Sequence, residues 1–426
     1  MAASVTDIEP TTEQFHAECD AFLQQRYERR WTVESTGFVW GQGSDEVVLY
    51  EDGRSPELVA EVASIRDWRA DLFDNGLGWI TGPTEFGGRG LSRSHQSVFD
   101  LAARSYVVPS NGLLTISIGM IAPTIMRHGD DRLRRRYVPA LHRGDLIACQ
   151  LFSEPGAGSD LASLATRAER DGDGWRLTGQ KVWTSGAQFS DIGEIICRTG
   201  AGGTHGDLTA FLVDMRAPGV TVRPLVQMTG AAAFNEVFLD DVWVSDEQRL
   251  GAVGDGWPVA LTTLANERTA IGGEGFGGSG LLRFERYVAM ARAFGMERDP
   301  VVRQRLADLY ASLRIAKSSR QRAAARRAGG AAPGPEGALD KISLGRNVER
   351  ISDLLGRILG PQLVADGGEW GTYAWREVVL GVPGYHIAGG TDEILHNIIG
   401  ERVLGLPKEQ QLSGPNQARP MGTEGG

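Results

Sequence analysis

The period of the apolar residues changes twice along this chain, and that change limits the folds it can adopt. Near the N-terminus Phe15, Cys19, Phe22 and Leu23 recur at spacings of three and four, the stripe of one helix face. Leu58, Val62, Ile65 and Trp68 continue the helical spacing, as does the apolar series from Val98 to Ile125. Gly144 is placed as a helix stop. Near residue 150 the pattern becomes short runs rich in β-branched and aromatic residues. These include DIGEIICRT, LTAFLVDM, GVTVRPLV and NEVFLDDVWV, punctuated by Gly, Pro and Asp. The turn Asp171-Gly172-Asp173-Gly174 precedes Trp175, Leu177 and Val182. From Gly256 helical spacing returns over 257–295, 300–328 and 339–366, with 328–338 as a connection and a last helix from Asp392 to Leu404.

Runs of one element type followed by runs of another predict segregated domains rather than βαβ units. The expectation is a mainly α chain with a β domain (α+β). Residues 1–149 form an N-terminal helical domain, 150–255 a middle antiparallel β domain, 256–410 a C-terminal helical bundle and 411–426 a disordered tail. Residues 32–56 read as a loop. A GxGxxG match at Gly273, Gly275 and Gly278 has no strand before it, so it fails the context of a dinucleotide-binding turn.

Composition excludes several classes. The formal net charge is −10, which argues against broad phosphate-backbone binding, and the basic run near 320–330 reads as a solvated helix end. Cys19, Cys149 and Cys197 are far apart, so neither a disulfide framework nor a zinc site is indicated. No apolar stretch reaches the length of a membrane span, and no secretory leader is recognisable at the N-terminus. A cytoplasmic location is the expectation. Glycine stands at 57 of 426 residues, about twice the usual ~7%, without a fixed period. Only four of the 44 basic residues are lysines: Lys181, Lys317, Lys341 and Lys408.

Four ordered motifs then carry a resemblance: PTEFGGRGLS (83–92), EPGAGSD (154–160) followed by GQKVW, NERTAIGG (266–273) and AGGTDEILHNIIGERVLGLP (388–407). Together they closely resemble the acyl-CoA dehydrogenase family. The resemblance implies a helical domain, a small β domain and a C-terminal four-helix bundle. It implies bound FAD, a homotetramer or dimer, and removal of two hydrogens from an acyl-CoA thioester in fatty acid and lipid catabolism. Electrons would pass to an electron-transfer flavoprotein. By family position, Gln150, Leu151, Phe152 and Ser153 lie along the flavin, joined by Gly158, Ser159, Trp183, Thr184 and Ser185. Trp183 would stack near the isoalloxazine and Ser185 would face its N5 atom. Ser159, Arg268 and Gly390 are the substrate contacts the resemblance implies. Thr391 and Glu393 match positions near the flavin diphosphate or adenine end, and Arg357 and Gly360 a segment reaching a neighbouring subunit's FAD.

The sequence departs from the family pattern at two points. The glutamate of the usual E-G-T triplet, a common catalytic base, is Gly389 here, beside Gly390 and Thr391. A minority of the family carries its base before an arginine on a C-terminal-domain helix, which makes Glu267, preceding Arg268, the expected base. Glu274 and Glu236 are weaker candidates. Gly389 keeps its backbone N–H, so it can still act as an oxyanion donor while leaving room for a bulky or branched acyl chain. The family's R-x-x-F-G appears only as Ala291-Arg292-Ala293-Phe294-Gly295. A displacement of one residue turns a side chain by about 100° on a helix, which leaves the contact of Arg292 and Phe294 with FAD in question. Two alternatives stand beside the dehydrogenase reading: a non-catalytic partner subunit of a hetero-oligomer with a related chain, and a same-fold flavin enzyme such as a nitroalkane oxidase or flavin monooxygenase.

Overall fold

A computed structural model describes residues 9–30, 40–47, 49, 52–109, 112–271, 280–328 and 334–408. Helix α1 (Thr12–Arg26) starts at a capping box, in which Thr11 accepts from the Gln14 amide and Gln14 bonds back. Its stripe of Phe15, Cys19, Phe22 and Leu23 is buried, as the spacing predicted. It packs with Trp68 and Leu72 of α2 (Pro56–Asp74) and Phe99 of α3 (Arg93–Ala103). Helix α5 (Asp131–Arg143) is capped by Asp130 and ends at Gly144, whose φ of 85° only glycine adopts freely.

The apolar series from Val98 to Ile125 is not one helical stretch. After Ala103 the chain extends so that Tyr106 pairs with Arg29 and its hydroxyl donates to Asp20 at 2.5 Å. Pro109 follows, without an amide to continue a helix. Helical structure resumes with a 3-10 helix at Gly112–Leu114, followed by a π-helical stretch at Ser117–Ile121 that leads into α4 (Ala122–His128).

The middle region is an eight-stranded sheet. Its strands are β1 (Ala148–Leu151), β2 (Arg167–Asp171), β3 (Gly174–Ser185), β4 (Ile192–Arg198), β5 (Leu208–Asp214), β6 (Val220–Leu225), β7 (Phe234–Ser245) and β8 (Arg249–Leu250). The order is β6-β7-β3-β2-β4-β5-β8, with β1 beside β4. Pairing is antiparallel except that β1 runs parallel to β4 and β2 meets β4 at one parallel pair. The departure from an all-antiparallel sheet has a simple source: β1 enters from the helical domain and leaves into the EPGAGSD loop instead of a hairpin. Alternation along β1 and β4 divides two cores. Leu151, Ile195 and Cys197 lie in the sheet's own core, with Trp175 and Phe211. Ala148, Phe152, Ile192 and Ile196 face a core shared with Ile125, Tyr137, Leu141 and Val259 from the helices.

The C-terminal region contains α6 (Gly256–Ile271), α7 (Phe284–Ala293), α8 (Pro300–Ala328), α9 (Glu336–Leu359), α10 (Arg376–Ile387) and α11 (Asp392–Arg402). Among the described residues the segment 257–295 holds two helices, and the third predicted segment ends at Leu359 because Gly360 takes a φ of 51° ahead of Pro361. Helix α10 escaped the sequence reading. It carries Gly381, Pro383 and Gly384, residues that weaken a helical pattern. Residues 329–333 of the expected connection and the tail from 409 lie outside the described residues, as do Glu274 and the GxGxxG match. Among the described residues, no helix is long and apolar enough to cross a membrane, and no cluster of His, Cys, Asp and Glu could hold a metal ion.

Candidate active site

Lys181 of β3 organises the end of the sheet from which the EPGAGSD loop leaves. The side chain is wholly buried, and its ammonium donates to the carbonyls of Phe152 (3.1 Å) and Ile196 (2.9 Å) and to the Glu154 carboxylate (2.8 Å). Glu154 also accepts from the amides of Ala165 (2.6 Å) and Thr166 (3.0 Å). A buried charge is tolerated when its lone pairs and protons are all engaged, and both ions of this pair are. Burial pushes the Glu154 carboxyl up, but Lys181 and the hydrogen bonds outweigh it and hold the group below its ordinary value. The acidic residue that opens the motif therefore anchors the loop from inside. Glu154 and Ala157 exchange backbone hydrogen bonds across the turn. Gly156 and Gly158 stand in the open, where an added Cβ would meet nothing within 4 Å, and Ser159 is exposed beside them.

Two residues further along β3, Trp183 has φ 62°, an unfavourable conformation for a bulky residue, at an irregularity in the β3–β7 pairing between Lys181 and Thr184. Its ring is 56% exposed and meets Phe234 edge-on at 5.8 Å. Strained backbone carrying an exposed apolar ring is characteristic of ligand sites. The buried Thr184 hydroxyl has no hydrogen-bond partner. The Thr184 carbonyl accepts from Asn235 (3.1 Å), which also donates to Gln188 (2.6 Å), so the strand end is held while that hydroxyl stays uncommitted. Ser185 is half-buried next to it. From β1, Gln150 is half-buried, and the Ser153 carbonyl accepts from the Val182 amide at 2.9 Å. Leu151 and Phe152 differ from these, since their side chains are core residues on opposite faces and leave only backbone for a ligand.

Glu267 is half-buried on α6, one residue before Arg268, whose backbone continues the helix. One turn earlier Thr263 is fully buried and tied to Thr124 and Glu194. Gly389 and Gly390 form the turn between α10 and α11 with φ of 67° and 94°. Thr391 caps α11 by accepting from the Ile394 amide, and Glu393 is exposed in its first turn. The turn is clamped from both ends: His386 bonds Asp392 at 2.8 Å, and Lys341 of α9 reaches the other oxygen of Asp392 at 3.3 Å. Burial pushes Asp392 up, but these two partners hold it below the usual carboxylate range.

Other sequence candidates have structural partners. Arg357 pairs with Asp299 at 3.2 Å, Glu236 accepts from Gln180 at 2.9 Å, and Phe294 packs edge-on against Trp40 at 5.7 Å. Arg292 is exposed in the last turn of α7, and Gly360 ends α9. Sequence reasoning missed the roles of Lys181, Glu154, Lys341 and Glu194. The lysine count held a signal for two of them. In a chain that uses arginine almost everywhere, Lys181 and Lys341 sit in buried pockets where a compact charge with three donors fits better than a guanidinium.

A helical domain, a predominantly antiparallel sheet and a second helical domain, with a glycine-rich turn and an exposed strained tryptophan at one end of the sheet, make a three-part α+β architecture. Family models agree with it: acyl-CoA dehydrogenase N-terminal domain over residues 56–145, middle domain over 149–242 and C-terminal domain over 254–404. The chain belongs to the acyl-CoA dehydrogenase family. It is 40% identical over 368 residues to acyl-CoA dehydrogenase FadE34 of Mycobacterium tuberculosis, which covers 84% of this chain and 49% of that protein. The chain therefore spans about half the length of that relative. It is 37% identical over 350 residues to acyl-CoA dehydrogenase IpdE1 of the same organism, covering 81% of this chain and 88% of that one. Among solved structures, a variant of the Tcur3481-Tcur3483 steroid ACAD superposes with a TM-score of 0.68 at 26% identity, covering 93% of this chain and 99% of that one.

Proposed function

We propose that the chain is an FAD-dependent acyl-CoA dehydrogenase that forms a Cα=Cβ bond beside a thioester. The observation that carries this reading is the β1–β3 end of the sheet. The exposed ring of Trp183 offers a stacking surface, the buried Thr184 hydroxyl is uncommitted, and the Gly156–Gly158 backbone is open to close approach. These features fit a flavin, with Gln150, Ser153, Trp183, Thr184 and Ser185 as its holders. When bound, FAD accepts the substrate's β hydrogen with its electron pair.

In this reading the protein's own residues do three things. Glu267 takes the α proton, since a carboxylate within reach of that carbon is the base the chemistry needs. The Gly389 amide donates to the thioester oxygen, where charge gathers as the proton leaves. The His386–Asp392–Lys341 clamp holds that amide in place before substrate arrives. Glycine at 389 supplies the donor without a side chain, which suits a bulky, branched or ring-bearing acyl group, and the steroid ACAD neighbour is in keeping with that. An electron-transfer flavoprotein is the proposed acceptor, and a homo-oligomer the proposed assembly.

A second reading has its own observation. The missing carboxylate at Gly389 suits a partner subunit that needs a related chain, and the name of the steroid ACAD neighbour contains two components. One experiment separates the two. The chain is purified alone, its FAD content measured, and a panel of straight, branched and ring-bearing acyl-CoA thioesters added anaerobically. Bleaching by bulky thioesters supports the first reading; FAD bound only on co-expression of a related chain supports the second.

A further inference from the structure

Glu194 lies in the middle of β4, wholly buried, opposite Gln150 on β1 and Leu212 on β5. Among the described residues it has no cation for a partner. Its Oε1 stands 2.7 Å from the Thr263 hydroxyl of α6, which stands 2.9 Å from the Thr124 hydroxyl of α4, which in turn lies 2.9 Å from the Met120 carbonyl. Only one distribution of protons makes all three contacts hydrogen bonds at once. A carbonyl only accepts, so Thr124 donates to Met120. That uses the single proton of Thr124, so Thr263 donates to Thr124. Thr263 then has no proton left for Glu194, so in that arrangement Glu194 donates to Thr263; an ionised Glu194 can accept from Thr263 only where one of the other two contacts goes without a proton. Three links need three protons, and the two hydroxyls hold two.

We propose that Glu194 is a neutral carboxylic acid in the folded protein and a positioning residue for the reaction. It donates to Thr263, and through Thr124 and Met120 it pins α6 between the sheet and α4. Glu267 follows Thr263 by one helical turn, so the pin fixes the segment that carries the candidate base. Ionising Glu194 would remove the third proton and break one of the three links. It would also leave a charge on Oε2, which is buried and has no hydrogen-bond partner. Burial pushes the group up to about 8, the direction that favours the neutral acid. Among the described side chains, the titratable and charged groups of the elements packed around it are Glu267 on α6, Arg127 and His128 on α4, the latter bonded to Thr262 at 2.8 Å, Cys149 on β1, Asp214 on β5, and Cys197 and Arg198 on β4 itself.

The catalytic consequence rests on Glu267 being the base; the protonation state does not. The test therefore has two readouts on the FAD-loaded protein. Infrared difference spectra of wild type against Glu194→Gln at pH 7 should contain a protonated-carboxyl C=O stretch that only the wild type possesses. Anaerobic flavin reduction by an active acyl-CoA should fall as pH rises through about 8 in wild type, by roughly tenfold for each pH unit beyond it. Glu194→Gln, whose amide can donate to Thr263 but cannot ionise, should keep its rate at pH 7 within about threefold and lose that alkaline limb. Thr263→Ser should retain the limb, and Thr263→Val should slow reduction at every pH. A carboxylate band from Glu194 at pH 7, or the same alkaline limb in wild type and Glu194→Gln, would overturn the proposal. If no thioester reduces the flavin, the dehydrogenase reading fails and the infrared result still decides the protonation state.

Discussion

Replacing Lys181 by methionine removes a buried ammonium that three acceptors share, while keeping a side chain of similar length. The Phe152 and Ile196 carbonyls lose their donor, and Glu154 keeps only the Ala165 and Thr166 amides. Breaking one member of a buried ion pair typically costs 3–5 kcal/mol. The two remaining amide bonds put this case near the lower end, at about 3 kcal/mol. Sign matters for the pH dependence. The Glu154 carboxyl is held below its ordinary 4.5, so the stability it contributes is present above that value and lost as pH falls through the folded-state pKa. Without Lys181, burial dominates and Glu154 protonates more readily. The gap between wild type and variant should therefore narrow toward acid pH. Urea denaturation at pH 7 and pH 5 measures both quantities, and absorbance at the flavin band measures FAD retained through gel filtration. The double variant Glu154→Gln/Lys181→Met should recover part of the loss, because no uncompensated charge remains. A Lys181→Met protein within about 1 kcal/mol of wild type at pH 7, with full FAD, would refute the view that this pair holds the flavin loop.

Other predictions follow from single residues. Glu194→Gln should stabilise the protein increasingly as pH rises from about 4.5 toward 8, by about 1.4 kcal/mol per pH unit, because the wild-type unfolded chain releases a proton that the folded one keeps; paired urea titrations across that range check it. Trp183→Gly should relieve backbone strain of roughly 1 kcal/mol and raise apoprotein stability, while weakening FAD binding about tenfold through loss of the stacking face, measured by fluorescence titration. Gly389→Glu should not improve turnover despite restoring the common family carboxylate. A side chain at φ 67° costs roughly 1–2 kcal/mol, and the acyl pocket loses room; kcat and KM on a bulky thioester are the readout. Asp392→Asn should loosen the α10–α11 turn and lower kcat more than it raises KM, since His386 and Lys341 would lose their shared anion.

Periodicity carried the order of domains because burial imposes it over many residues at once. The stripe of α1 and the Gly144 stop were legible from local spacing alone. The break between Ala103 and Gly112 was not, because a long-range pairing of Tyr106 with Arg29 and Asp20 overrides an apolar pattern that would suit a helix. The parallel placement of β1 was hidden for the same reason, as a four-residue strand does not encode its neighbour. At the site, motif spacing pointed to Glu154 and Lys181 as residues without saying what joins them. Their bond spans 27 positions and exists only in three dimensions. Glu194 left no trace in any motif. Its meaning comes from two threonines on separate helices, 139 positions apart, whose protons must be counted together.

The account turns on Glu267. Glu267→Gln, purified with FAD bound and mixed anaerobically with an acyl-CoA that bleaches the wild-type flavin, tests it most directly. The account expects unchanged FAD content and thioester affinity with flavin reduction slowed by at least about 10³-fold, the loss of a positioned base. Reduction at the wild-type rate would show that another group takes the α proton.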